Sequence, residues 1–155
     1  FVNQKPVKMS PNIRKFFSIK DKEIIKKAIL NAELDTSGEI RVHVETTCKG
    51  DVLDRAAFLF KKLGMEKTGL RNGILFYLAV SSQKFAIIGD EGINLVVPEN
   101  FWIDIKTHMT ERFNENEFAI GLAEGIAETG KYLKKYFPHH IDDINELPDE
   151  ISFGK

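Results

Sequence analysis

One cysteine, one tryptophan, five prolines and no surplus of either charge mark this 155-residue chain by what it lacks. With Cys48 alone, no intrachain disulfide can form, which fits a reducing compartment. The 22 basic and 23 acidic residues leave a formal net charge of −1. A nucleic-acid binder shows a basic excess or stripe, and this chain has neither. No apolar run approaches the roughly 18 residues that span a bilayer, so no membrane span is expected. Nor does the chain open on a basic segment followed by an apolar core, so no signal peptide is expected. From these absences the expected location is the cytoplasm.

What remains is globular in character: 43% apolar and 29% charged residues. The length suits one domain with a core on both sides of a sheet. Residues 1–17 lack periodicity and hold Pro6 and Pro11, an arm from which Ile13, Phe16 and Phe17 could dock. Ser18 and Asp21 have capping-box spacing before a helix over 19–34, with Ile24, Ile25, Ala28, Ile29 and Ala32 on one face. Residues 39–46 alternate. Ile40, Val42 and Val44 point one way, and Glu39, Arg41, His43 and Glu45 form a wet or partly covered face. Asp51 caps a helix over 52–64 that buries Val52, Leu53, Ala56, Ala57, Phe60 and Leu63. Residues 73–80 are nearly all apolar, a strand covered on both faces, and a short hairpin at 81–83 returns it as a strand over 84–88. Helices follow over 99–113 and 117–136, the first with Trp102, Ile105, Met109 and Phe113 inward. Residues 138–155 are rich in Pro, Asp and Glu and are expected to be a mobile tail.

This order, α-β-α-β-β-α-α, constrains the topology. A helix separates the strands over 39–46 and 73–80, so they lie parallel through a right-handed crossover. The hairpin makes the third strand antiparallel. Residues 35–39, 71–72 and 90–92 therefore converge at one sheet edge, and residues 46–51 and 81–83 at the other.

Thr36-Ser37-Gly38-Glu39-Ile40-Arg41, Leu70-Arg71-Asn72-Gly73-Ile74 and Gly89-Asp90-Glu91-Gly92-Ile93, in this order and spacing, resemble the TPM domain. The later Gly121-Leu122 and Gly125-Ile126 helix is also typical, and the likeness covers residues 20–136. The resemblance implies a three-layer α/β/α sandwich with a mixed central sheet, Rossmann-like in outline, with the domain over 18–137. Plant relatives of the family are associated with acid phosphatase activity and photosystem repair. Other members are tethered to membranes, a pattern absent at both ends of this chain. Short soluble bacterial members resemble binders of divalent cations, with no shared activity across the family.

Ca²⁺ or Mg²⁺ takes oxygen ligands from carboxylates, amides and carbonyls. The convergent edge offers Asp35, Glu39, Asn72, Asp90 and Glu91, with Ser37 and Thr36 as neutral donors of oxygen. The competing reading makes Asp35 and Asp90 ordinary turn residues and Glu39 a solvated strand start. A metal-dependent acid phosphatase could use the same edge, with Arg71 and Ser37 on the phosphate. Cysteine chemistry is disfavoured, because Arg55 does not stand at C-x₅-R spacing from Cys48. His43 and Glu45 share a strand face and could share a metal, against the reading of a solvated polar face. His139-His140 falls in the tail. The function expected is a non-catalytic module that binds a divalent cation and meets a protein partner, with the phosphatase as the alternative.

Overall fold

Ser18 opens the first helix with a complete capping box: Asp21 N–H donates to Ser18 Oγ, and Ser18 N–H to the Asp21 carboxylate. The structure, a computed structural model, describes residues 12–138 and 151–154. A 3₁₀ turn at Ile13–Lys15 precedes α1 (Ile19–Glu33), β1 (Glu39–Glu45), α2 (Val52–Lys62), β2 (Gly73–Ala79) and β3 (Lys84–Gly89). Then come α3 (Glu91–Asn94), α4 (Phe101–Asn114), α5 (Phe118–Tyr136) and β4 (Ser152–Phe153).

The sheet order is β3-β2-β1-β4. β1 and β2 run parallel, with Glu39 opposite Gly73 and Glu45 opposite Ala79. β3 runs antiparallel to β2. This is the expected mixed sheet inside an α/β/α sandwich. One face carries Ile40, Val42 and Val44 of β1 with Ile74, Phe76 and Leu78 of β2, covered by α1, α4 and α5. The other packs Leu75, Tyr77 and Ala79 against Ala56, Leu59 and Phe60 of α2. Both layers follow from period-2 strands meeting period-3.6 helices. Gly125 lets α4 approach α5, since a Cβ there would lie 2.5 Å from Met109 Sδ.

Several sequence expectations change. Ile13 and Phe17 are buried and Phe16 half-buried, so the described end of the arm docks as expected; residues 1–11 lie outside the described residues. Of the expected tail, Ser152–Phe153 pairs in parallel with β1, while residues 139–150 and 155, including His139-His140, lie outside the described residues. In α2, Leu53 and Ala57 are exposed and Leu59 is buried in their place, because the helix turns its 56/59/60 stripe to the sheet. In α4, Phe101 is buried while Trp102 is half-buried, and the two rings meet edge to face at 4.5 Å. The polar row of β1 is not wet: Glu39, His43 and Glu45 are all buried.

Candidate functional site

Backbone hydrogen bonds gather the loop edge. Glu39 N–H donates to Asn72 O at 3.2 Å, Asp90 N–H to Gly73 O at 2.9 Å and Gly92 N–H to Arg71 O at 2.9 Å. Gly92 is needed here, since a Cβ would collide with the carbonyl oxygens of Leu70 and Arg71. The expected convergence of residues 71–72 and 90–92 with the start of β1 is therefore real.

The side chains at this edge do more building than binding. Asp90 caps α3 by accepting from Glu91 N–H at 2.8 Å. Its carboxylate also takes a two-pronged contact from Arg71, Nε to Oδ2 at 2.7 Å and Nη2 to Oδ1 at 2.9 Å. Asp90 is buried while the Arg71 side chain is 42% exposed, so the pair sits with its cation outward. Arg71 reaches Asp90 from the left-handed region, at φ 52°, where a non-glycine residue is uncommon. The bond to Asp90 raises the guanidinium pKa above its ordinary value. Glu91 Oε1 stands 3.8 Å from Arg71 Nη1 and is largely exposed. Asn72 is buried: its N–H donates to Thr68 Oγ1 at 3.1 Å, and its side chain donates to Ser37 Oγ at 3.3 Å.

The other expected ligands diverge. Asp35 points to α5, where its carboxylate meets Lys134 at 3.4 Å on the surface. Glu39 joins the edge by its backbone, but its side chain is buried within the polar row of β1. Thr36 belongs to the end of α5, donating to Leu133 O at 3.0 Å and to Phe137 O. Among the described residues, no group of three or more His, Cys, Asp or Glu could hold a metal ion. Arg71, Asn72, Asp90, Glu91 and Ser37 are thus brought together, and Asp35 is not.

A second constellation lies further along β1. Glu45 receives both Arg55 Nε at 2.9 Å and Nη2 at 2.6 Å, and Tyr77 Oη donates to it at 2.7 Å. Burial alone would raise this carboxyl, but the Arg55 and Tyr77 hydrogen bonds overcome it and hold the carboxyl low. Burial pushes the Tyr77 phenol up, and its bond to Glu45 adds to that. His43 Nδ1 is hydrogen-bonded to Ser152 Oγ at 2.9 Å, and its ring stacks on Tyr77. Burial lowers the His43 pKa to about 4; the Glu45 charge opposes this, and Arg55, Arg41 and Lys62 add to it. Strand alternation alone misplaced this group in solvent. The available signal was Arg55, Leu59 and Lys62 at i, i+4 and i+7, one helical stripe placing two cations over the β1 acid.

The TPM domain profile matches residues 13–132, and the chain belongs to this family. The BA42 protein of the psychrophilic bacterium Bizionia argentinensis, solved by NMR, is 45% identical over 94% of this chain and all of its own, with a TM-score of 0.86. The N-terminal domain of the cg2496 protein from Corynebacterium glutamicum shares the fold at 14% identity and a TM-score of 0.63, over 84% of this chain and 88% of its own. So does an N-terminal domain from P. gingivalis, at 19% identity and a TM-score of 0.63, over 80% and 82%. No curated protein matches the chain. No described helix is long and apolar enough to cross a membrane.

Proposed function

We propose that this TPM-domain protein is a non-catalytic module whose loop edge binds Ca²⁺ or Mg²⁺ in competition with Arg71. The observation that carries this reading is Arg71 itself, held at positive φ with two N–H groups on the Asp90 carboxylate. A guanidinium in that position stands where a hard cation would stand. The ligand set is two carboxylates, Asp90 and Glu91, with the neutral oxygens of Asn72 and Ser37 and water completing the shell. Such a site is weak, because its strongest ligand must first leave an ion pair. The exchange frees Arg71 and changes the edge beside the exposed Leu70 and Leu95, a surface suited to a protein partner.

The phosphatase alternative would also need Arg71 to leave Asp90, so as to grip phosphate. Turnover of para-nitrophenyl phosphate that vanishes in Asp90→Asn would favour it; a clean preparation without turnover sinks it.

Titration with MgCl₂ and CaCl₂, followed by backbone amide NMR, tests the cation reading. Saturable shifts are expected at residues 37, 71–73 and 89–93. Arg71→Gly, which the positive φ tolerates, removes the competitor and should tighten binding about fivefold, the equivalent of ~1 kcal/mol. Asp90→Asn should abolish the response. Equal affinities in wild type and Arg71→Gly would refute the competition.

A further inference from the structure

The second constellation forms the floor of an open cleft of about 860 Å³ between α2, β1, β4 and the 3₁₀ turn. His43, Glu45 and Ser152 lie on the sheet side. Arg14, Arg55 and Lys62 bring the positive charge, and Leu59, Leu63 and Phe153 the apolar wall.

The charges do not cancel. Glu45 is neutralised by Arg55, through Nε and Nη2, so Nη1 takes no part in that pair. Arg14 and Lys62 have no carboxylate partner among the described residues. Instead each lies over an aromatic ring, Arg14 over Phe153 at 5.9 Å and Lys62 over Phe58 at 5.9 Å. The lining therefore carries an excess of cation.

His43 supplies the second observation. Only 4% of the residue is exposed, and Nδ1 is engaged by Ser152. Nε2 is buried with no hydrogen bond from the described residues, and Glu45 Oε2, at 3.9 Å, is too far to make one. A buried polar atom without a partner is costly unless something else supplies one. An acceptor in the cleft would fix the Nε2–H tautomer, with the Ser152 hydroxyl donating to Nδ1.

Topology adds a third. Parallel strands β1 and β4 are neighbours, yet β1 leaves through α2 on one face while β4 follows α5 on the opposite face. Open α/β sheets bind ligands in the crevice outside the carboxyl ends of their strands. Glu45 ends β1 at that position, and the close approach of Gly154 to the Glu45 carboxylate leaves no room for a Cβ.

We propose that this cleft binds a small organic oxyanion, its phosphate or carboxylate group between Arg14, Lys62 and His43 Nε2–H and its apolar body on Leu59, Leu63 and Phe153. This site is separate from the loop edge, and either can fail without the other.

The experiment is a titration of the full chain with phenyl phosphate, benzoate and inorganic phosphate, read by amide NMR and by histidine-ring ¹H–¹⁵N spectra. Expected are saturable shifts at residues 43–46, 55–63 and 152–154, with His43 held as the Nε2–H tautomer. Phenyl phosphate against benzoate distinguishes the two headgroups, and a weaker response to inorganic phosphate reports the apolar wall. Arg14→Ala and Lys62→Ala, both at exposed positions, should each weaken binding about fivefold, while Lys131→Ala on α5 should not. Shifts confined to residues 37, 71–73 and 90–92, shifts that never saturate, or affinities unchanged in both variants would overturn the proposal.

Discussion

At the scale of single residues, His43 makes the sharpest demand on its surroundings. It is buried, and that burial lowers its pKa to about 4 despite the nearby Glu45 carboxylate. Unfolded, the same ring protonates near 6.5. Between those values the unfolded chain binds more protons, so folding stability falls as pH drops through the window. The contribution is complete above pH 6.5, and its loss approaches roughly 3 kcal/mol near pH 4. His43→Gln should flatten that part of the curve. Urea unfolding of wild type and variant at several pH values between 6.5 and 4 measures it, and parallel curves would mean that His43 does not titrate as its burial requires. Gly92 is the second exacting residue. Gly92→Ala presses a methyl group against two backbone carbonyls and should cost about 1–3 kcal/mol, seen as a lower urea midpoint.

At the scale of elements, the sequence was most informative wherever a period ran long enough to be read. Alternation placed β1, helical stripes placed α1, α4 and α5, and the capping residues Ser18 and Asp51 stand where the helices begin. Antiparallel pairing of β2 with β3 then brought residues 71–72 to residues 90–92, and parallel pairing of β2 with β1 brought both to the start of β1, without any side-chain information. What could not be read was which charges would neutralise each other. Arg71 and Asp90 are 19 residues apart, and their bond depends on a left-handed backbone at Arg71 that no period announces. Glu45 was read as solvated, because its partner Arg55 comes from a neighbouring element. β4 was missed because two residues carry no period. Its effect is nevertheless specific, since Ser152 holds His43 Nδ1 and Gly154 N–H donates to Val44 O at 2.9 Å. Removing residues 151–155 should uncover His43 and move its pKa from about 4 toward 6.5. An NMR pH titration of the imidazole reads this directly; a ring that still titrates near 4 would show that α2 and the 3₁₀ turn suffice to bury it.

At the scale of the whole molecule, β1 joins two polar regions of opposite preference. Its amino end leads to the loop edge, where the proposed cation site holds Asp90 and Glu91, and its carboxyl end to the cleft, where the proposed anion site holds Arg14 and Lys62. Seven residues of strand put these ends about 20 Å apart. That is two or more Debye lengths at physiological salt, so direct attraction between bound charges is screened to well under 1 kcal/mol. Coupling would then need a part of the structure with two arrangements, shared by both sites. β1 is a poor candidate, because it is paired on both sides and its apolar residues are fully buried. Mg²⁺ and phenyl phosphate should therefore bind independently. Titrating each in the presence of saturating amounts of the other, by amide NMR, should leave each affinity unchanged within about twofold, a coupling below ~0.5 kcal/mol. A larger coupling of either sign would mean that the displaced Arg71 loop communicates through the sheet, and that the two ends of β1 act as one regulatory unit.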